Sequence, residues 1–355
     1  RQVFNNIRFR ASISNNTSKD KFQYQGGIEF NNLTTAFDAN ESEFIIKGEG
    51  SYPINKESFI SFGTENSIIQ YKDTTAQSRV LLQFRPAYNY TKGKLNIKAG
   101  INLASDNDSS AESNAFRVYP NVVANYSIIP QQLTVFGGIT GDTRKRTLKS
   151  LTAENPWLGV KTVVSNQDEK INIYAGLKGS TKAGLSWSVQ GGYQSVSNFL
   201  VFLNTPTDSA KFSAIYDRGN TSIVNVNGSL GYEHKSGFVA GLNLNYNNFS
   251  TDKLKGVYHI PAFQTALSAG YLYKNKIGAN LNLTSYSSMK TLSPTTGKEV
   301  DLKGFVDLDL KITYHLSERG NVFILADNLL SQKNERYLYY QTRGIMLMIG
   351  GNYSF

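Results

Sequence analysis

The feature that most limits what this chain can fold into is a period of two. In its last eleven residues Ile345, Leu347, Ile349, Gly351, Tyr353 and Phe355 alternate with Met346, Met348, Gly350, Asn352 and Ser354. One face is apolar and aromatic, the other mostly small or polar, and the chain ends on an aromatic residue. That pattern suits a strand whose outer face meets lipid and whose inner face meets water, as in an outer-membrane barrel. No run of about 18 or more apolar residues is present, so no transmembrane helix is expected.

The same alternation recurs along the chain. Ile7, Phe9, Ala11 and Ile13 face one way, with Arg8, Arg10 and Ser12 between them; Phe22, Tyr24, Gly26, Ile28 and Phe30 follow after the turn at residues 15–20. A longer polar loop is read after Phe30. Residues 44–52 and 59–71 read as a hairpin across P-I-N-K-E, although the alternation blurs at Ile45 and Ile46. Val80 to Tyr90 turns at T-K-G-K into Leu95 to Leu103, and Pro86 inside that strand predicts a bulge, because proline cannot donate to a ladder. The cleanest dyads are Val224 to Tyr232 and Phe238 to Tyr246, joined by E-H-K-S-G. Residues 144–159 break the rhythm and predict a turn or two of helix before Asn155-Pro156, in a loop on the outer side.

Counted this way, the chain has about seventeen strands of roughly 9 to 13 residues, close to the 9–11 that cross a bilayer. Long polar loops alternate with tight turns, the asymmetry of barrels with loops outside and turns in the periplasm. The fold class read from the sequence is therefore all-β: a transmembrane antiparallel β-barrel of about 16–18 strands. Residues 1–355 form one barrel domain. If the last strand ends in the periplasm, the strand at Phe4 starts outside, and an even strand count then calls for a further strand upstream of Arg1.

Composition agrees and excludes other classes. Mean hydropathy is −0.34 although the chain carries 20 Phe and 21 Tyr, as expected when half of each strand is wet. With no cysteine, disulfides, thiol chemistry and zinc fingers are excluded. The net charge is +10, but the basic residues are scattered without a K/R cluster, so nucleic acid is not an expected partner.

The second half, from about Leu148, resembles the barrel of TonB-dependent receptors of the kind common in Bacteroidetes. The residues that carry the likeness are T-L-K-S-L-T-A-E-N-P-W-L, I-Y-A-G-L-K, L-S-W-S-V-Q-G-G-Y-Q-S-V-S-N-F-L, H-I-P-A-F-Q-T-A-L-S-A-G-Y and D-L-D-L-K-I-T-Y-H-L. The most specific block is Asn328-Leu329-Leu330 with Tyr337 and the terminal Phe355. The resemblance implies the cell outer membrane of a Gram-negative bacterium and a transport or receptor-like role. It departs from the family before Phe4, where nothing matches a plug, so the chain resembles smaller plug-less relatives. In that phylum such barrels also serve as subunits of larger outer-membrane assemblies, which is the alternative role. Expected partners are outer-membrane lipid and lipopolysaccharide, and other outer-membrane or surface proteins.

No enzymatic role, cofactor or metal site is expected. His234, His259 and His315 fall in separate turns and strand ends, too far apart for one metal site or a triad, and no Ser and His pair suggests a phospholipase. On the polar faces, Arg79, Arg85, Lys98 and Arg117 fall on neighbouring strands and form a candidate basic patch in the lumen. The simpler reading is that such charges pair across strands; the functional one is an anion-favouring lumen. Tyr90, Tyr126, Tyr246, Tyr273 and Tyr314 read as interface girdle residues. Trp157, Tyr337, Tyr339 and Tyr340 are candidate extracellular contacts, set against the alternative that they pack within the loops.

Overall fold

The structure is a computed structural model and describes residues 3–15, 21–74, 76–108 and 116–354. The turn read at residues 15–20, most of the loop before Phe116 and the terminal Phe355 fall outside the described residues, apart from Asn15 and residues 105–108. The elements in chain order are β1 (Phe4–Ser14), β2 (Gln23–Thr35), β3 (Asn40–Pro53), β4 (Ser58–Lys72), β5 (Ala76–Lys92), β6 (Leu95–Asp106), β7 (Phe116–Ile129) and β8 (Leu133–Arg144). After the helix α1 (Leu148–Glu154) come β9 (Gln167–Ser180), β10 (Leu185–Thr205), β11 (Asp208–Glu233), β12 (Phe238–Ser250), β13 (Phe263–Tyr273) and β14 (Ile277–Tyr286). The last third holds β15 (Met289–Leu292), β16 (Glu299–Leu302), β17 (Phe305–His315), β18 (Gly320–Asp327), β19 (Glu335–Tyr337), β20 (Tyr340–Gln341) and β21 (Met346–Tyr353).

Seventeen of these strands form one antiparallel sheet in which each pairs with the next along the chain; β15 with β16, and β19 with β20, make small hairpins inside loops. This is the predicted meander, with the expected number of strands. Among the described residues, β1 pairs only with β2 and β21 only with β18. Because seventeen strands alternate in direction, β1 and β21 run the same way, from the long-loop end to the short-turn end.

Side-chain alternation decides which face is which. Ile28, Ile46, Leu82, Val122, Val226, Leu244 and Ile324 are all exposed on one face, with Tyr52, Tyr88, Tyr126, Tyr246 and Tyr314 toward the strand ends. An apolar belt of this extent is unsustainable in water and fits lipid, with tyrosines at the two interfaces. The other face is concave. Gln83 on β5 donates to Asp142 on β8 at 2.8 Å, and Asn102 on β6 donates to the Gly141 carbonyl at 2.7 Å, contacts between strands that are not neighbours in the sheet.

Some local expectations change. Pro86 makes no bulge: the register passes through it opposite Phe62, and the ladder to β6 resumes unshifted from Phe84↔Leu103 to Ala87↔Gly100. Proline's missing N–H costs rungs there and leaves the register intact. The longer loop read after Phe30 is instead strand: β2 runs to Thr35 and β3 starts at Asn40. The blurred pair separates cleanly, Ile45 buried on the inner face and Ile46 exposed on the outer. Finally, β10 and β11 are 21 and 26 residues long, about twice a membrane crossing. Their far halves carry Leu200, Phe202 and Phe212 into a buried cluster with Leu33, Tyr71, Leu151, Val164 and Tyr337 at the long-loop end.

Candidate functional site

The chain between β8 and β9, residues 145–166, folds onto the concave face and forms a strut across the mouth. Its helix begins with a capping box: the Thr147 side chain accepts from the Ser150 N–H and the Ser150 hydroxyl accepts from the Thr147 N–H. The next free N–H groups point at the sheet. Leu148 and Lys149 donate to the two carboxylate oxygens of Glu41 at 2.7 and 3.2 Å, so a buried acid on β3 completes the helix start. Inside the cluster Leu151 is fully buried, which holds the short helix down by packing where its length alone would not.

One lysine pairs the strut with acids on two strands, β3 and β4, and hydrogen bonds tie it to the rest of the wall. Lys145 Nζ lies 2.8 Å from Glu43 and 2.7 Å from Glu65. Burial alone would lower its pKa, but the two carboxylates outweigh that and move it upward. Arg79, 1% exposed, donates to the Arg146 carbonyl at 3.0 Å and to Asn166 Oδ1 at 3.3 Å, and lies 3.9 Å from Asp108. Asp108 in turn accepts from Ser165 Oγ and the Asn166 N–H at 2.8 and 2.7 Å. Arg117 pairs with Asp106 at 3.0 Å and Asp168 at 3.7 Å. Buried acids are stable only while partnered, so displacing the strut would take from Glu41 the Leu148 and Lys149 N–H groups and from Glu43 the Lys145 ammonium.

On the rest of this half of the lumen, ions face each other across ladder rungs. Arg10 is directly opposite Glu29, and Lys47 opposite Glu65, at 2.7 and 3.2 Å. Between mid-strand and the short-turn end lies an open cavity of about 760 Å³, lined in part by Gln25, Lys47, Glu49, Glu65, Arg85 and Lys98.

The structure places the four candidate basic residues on one wall in different surroundings. Arg79 and Arg117 are buried in the network under the strut, and Arg85 pairs with Asp142 at 2.8 Å at the cavity's edge. Lys98 faces the cavity with no ion pair among the described residues. Of the candidate aromatics, Tyr337 is buried and donates to the Glu154 carbonyl at 2.9 Å, while Trp157 stacks on Tyr340 with ring centroids 3.9 Å apart. Tyr339 alone of these is exposed, with φ at +72°. His259, on the β12–β13 loop, is buried beside Phe212 and Tyr337, far from His234 in its turn and His315 at a strand end.

The anchoring acids Glu41, Glu43 and Glu65 and the cation Lys145 were not anticipated as a group. A signal existed: Glu41 and Glu43 occupy inward positions at the loop end of a strand, where charge needs a partner. Which distant lysine supplied it is decided only by how the strut folds back.

No protein-family model and no curated protein matches the chain by sequence. Solved structures do match in shape. The siderophore receptor PirA from Acinetobacter baumannii aligns at a TM-score of 0.74 with 12% identity over 100% of this chain and 63% of that one. A variant of the ferric enterobactin receptor PfeA from Pseudomonas aeruginosa, in complex with enterobactin, aligns at 0.74 with 13% identity over 100% and 63%. The FrpB iron transporter from Neisseria meningitidis aligns at 0.72 with 9% identity over 98% and 63%. The chain therefore spans less than two thirds of the length of these proteins, and its fold is that of an outer-membrane receptor β-barrel, as the resemblance in the sequence implied.

Proposed function

We propose that the chain forms the wall of an outer-membrane receptor or transporter that takes a solute from the long-loop side, with lipid and lipopolysaccharide around it. The observation that carries this reading is the strut: a segment held by the Lys145 ion pairs and by hydrogen bonds to Glu41, Arg79 and Asp108 across the mouth of a polar lumen, with an open cavity of about 760 Å³ beyond it. A wall that served only as scaffold has no use for a restrained obstruction over a wet cavity. The solved proteins of the same shape, described as a siderophore receptor, a ferric enterobactin receptor and an iron transporter, support the same class of role. Nothing in this reading calls for an enzymatic step.

Within the lumen, the anion preference expected of Arg79, Arg85, Lys98 and Arg117 rests mainly on Lys98, because carboxylates face the other three. Tyr339 is the loop aromatic best placed to meet a ligand or surface partner. The test is single-channel recording in planar bilayers. The wild-type protein passes little current; Lys145→Met combined with Arg79→Met frees the strut and raises conductance; Lys98→Gln in that background moves the reversal potential in a salt gradient toward zero. A correctly folded double variant that conducts no more than wild type overturns the proposal.

A further inference from the structure

Charge is placed unevenly along the barrel axis. At the long-loop end acids and bases are mixed, and Arg79, Arg117, Arg144, Lys145, Arg146 and Lys290 each face a carboxylate. The short-turn end differs. Lys21 borders the first turn, Lys56 sits between β3 and β4, and Lys92 and Lys94 flank the turn from β5 to β6. Further round the rim stand Lys182 before β10, Lys235 before β12, Lys274 and Lys276 before β14, and Arg319 before β18. All nine are exposed and meet three acids, Glu57, Glu233 and Glu318; among the described residues the one ion pair in these turns is Lys92 with Glu57 at 3.4 Å. Apolar side chains accompany the cations. Ile54 and Leu316 are exposed in the turns that carry Lys56 and Arg319, and Lys94 Nζ donates to the carbonyl of the exposed Ile128 at 2.8 Å. Lys274 lies over the ring of Tyr273, 5.3 Å from its centroid.

We infer that the short-turn rim is an interaction surface for anionic phospholipid headgroups, phosphatidylglycerol in the leaflet on that side of the bilayer. Like charges crowded on one rim repel one another until anions sit among them, and basic residues beside a bilayer surface favour acidic lipid. The apolar companions decide which anion. A soluble acidic partner makes no use of Ile54, Leu316 or the outward tyrosines, whereas a phospholipid presents a phosphate directly above its acyl chains. Tyr52, Tyr88, Tyr126 and Tyr314 mark the outer face at this end, and the turns begin just beyond them, so the ammonium groups stand at headgroup level. Lysine suits that place, because its apolar stem lies along the belt while its three N–H donors reach phosphate oxygens. The surface follows from the barrel alone and holds whether or not a solute passes through it.

A native reporter makes the test direct, because the chain has two tryptophans. Trp187 shares the outward parity of the exposed Val189, follows Lys182 by five residues and pairs with Leu230 near the Lys235 turn. Trp157, in the loops at the other end, is replaced by phenylalanine. That protein is reconstituted in phosphatidylcholine bilayers containing brominated phosphatidylglycerol or brominated phosphatidylcholine, and quenching of Trp187 gives the relative affinity of the two lipids. One lysine near an anionic surface is worth about fivefold. Phosphatidylglycerol is thus preferred by about fivefold or more at low salt, and the preference shrinks in about 1 M NaCl. Lys182→Gln with Lys235→Gln abolishes it, whereas Lys253→Gln with Lys255→Gln, in the loop before β13, leaves it unchanged. Heat-modifiability on gels verifies the fold, and the salt series on the Trp157→Phe protein alone decides should the double variant not fold. Equal affinity for the two lipids leaves the rim to a soluble anion and overturns the lipid surface, as does a preference that salt does not touch or that the loop variant loses equally.

Discussion

His259 shows how much one side chain can hold at the mouth. Its Nδ1–H donates to the Phe202 carbonyl at 2.9 Å while Nε2 accepts from the Leu338 N–H at 3.3 Å, so one neutral tautomer ties β10 to the loops before β13 and before β21. Burial pushes its pKa down to about 4, partly offset by the hydrogen bond to Phe202. The unfolded loop, with the ordinary histidine value of about 6.5, binds more protons between those limits. Stability is thus fully present above about pH 6.5 and falls as pH drops toward about 4, by about 3 kcal/mol across the window. Hydrogen exchange of residues 251–262 and 328–345, corrected for intrinsic rates, should accelerate between pH 7 and pH 5 in the wild type. His259→Gln, which cannot titrate, should lose that dependence; if it keeps it, another group is responsible.

At the scale of the element, α1 is seven residues long and too short to be helical by itself. Capping, the Glu41 carboxylate and Leu151 fix it. Thr147→Ala removes one cap and should cost about 1 kcal/mol, whereas Leu151→Ala empties a fully buried site and should cost about 2–5 kcal/mol. Limited proteolysis after α1 reads both: the cap variant should be cut slightly faster than wild type and the Leu151 variant much faster. Equal rates for the two would mean that the charge pairs, with little help from packing, hold the strut.

The whole molecule is a sheet with its apolar residues outside. Substituting Arg for Leu244, which points out near the middle of β12, should cost about 2–4 kcal/mol of folding into vesicles, measured by urea titration. The adjacent change Asn245→Arg faces the water-filled side and should cost far less. Similar penalties at both positions would contradict the assignment of faces. Among the large apolar side chains described, the highest exposures fall on β21, with Leu347 at 71% and Ile349 at 83%, because a strand paired on one side only among the described residues leaves its side chains less covered.

Period-two alternation determined, without help, the fold class, the strand number and the lipid-facing set, because a residue's parity within a strand settles its face. Short turns were legible for the same reason, as was the helical break before Asn155-Pro156. The strut was not. A stretch such as R-K-R-T-L-K shows charge and a cap, yet whether it extends into solvent or folds inward depends on Glu41, Glu43 and Glu65, about a hundred residues away in the chain. The basic patch met the same limit: parity put Arg79, Arg85 and Arg117 inside, but the curvature of the sheet and the returning loop chose their carboxylates and left Lys98 facing the open cavity.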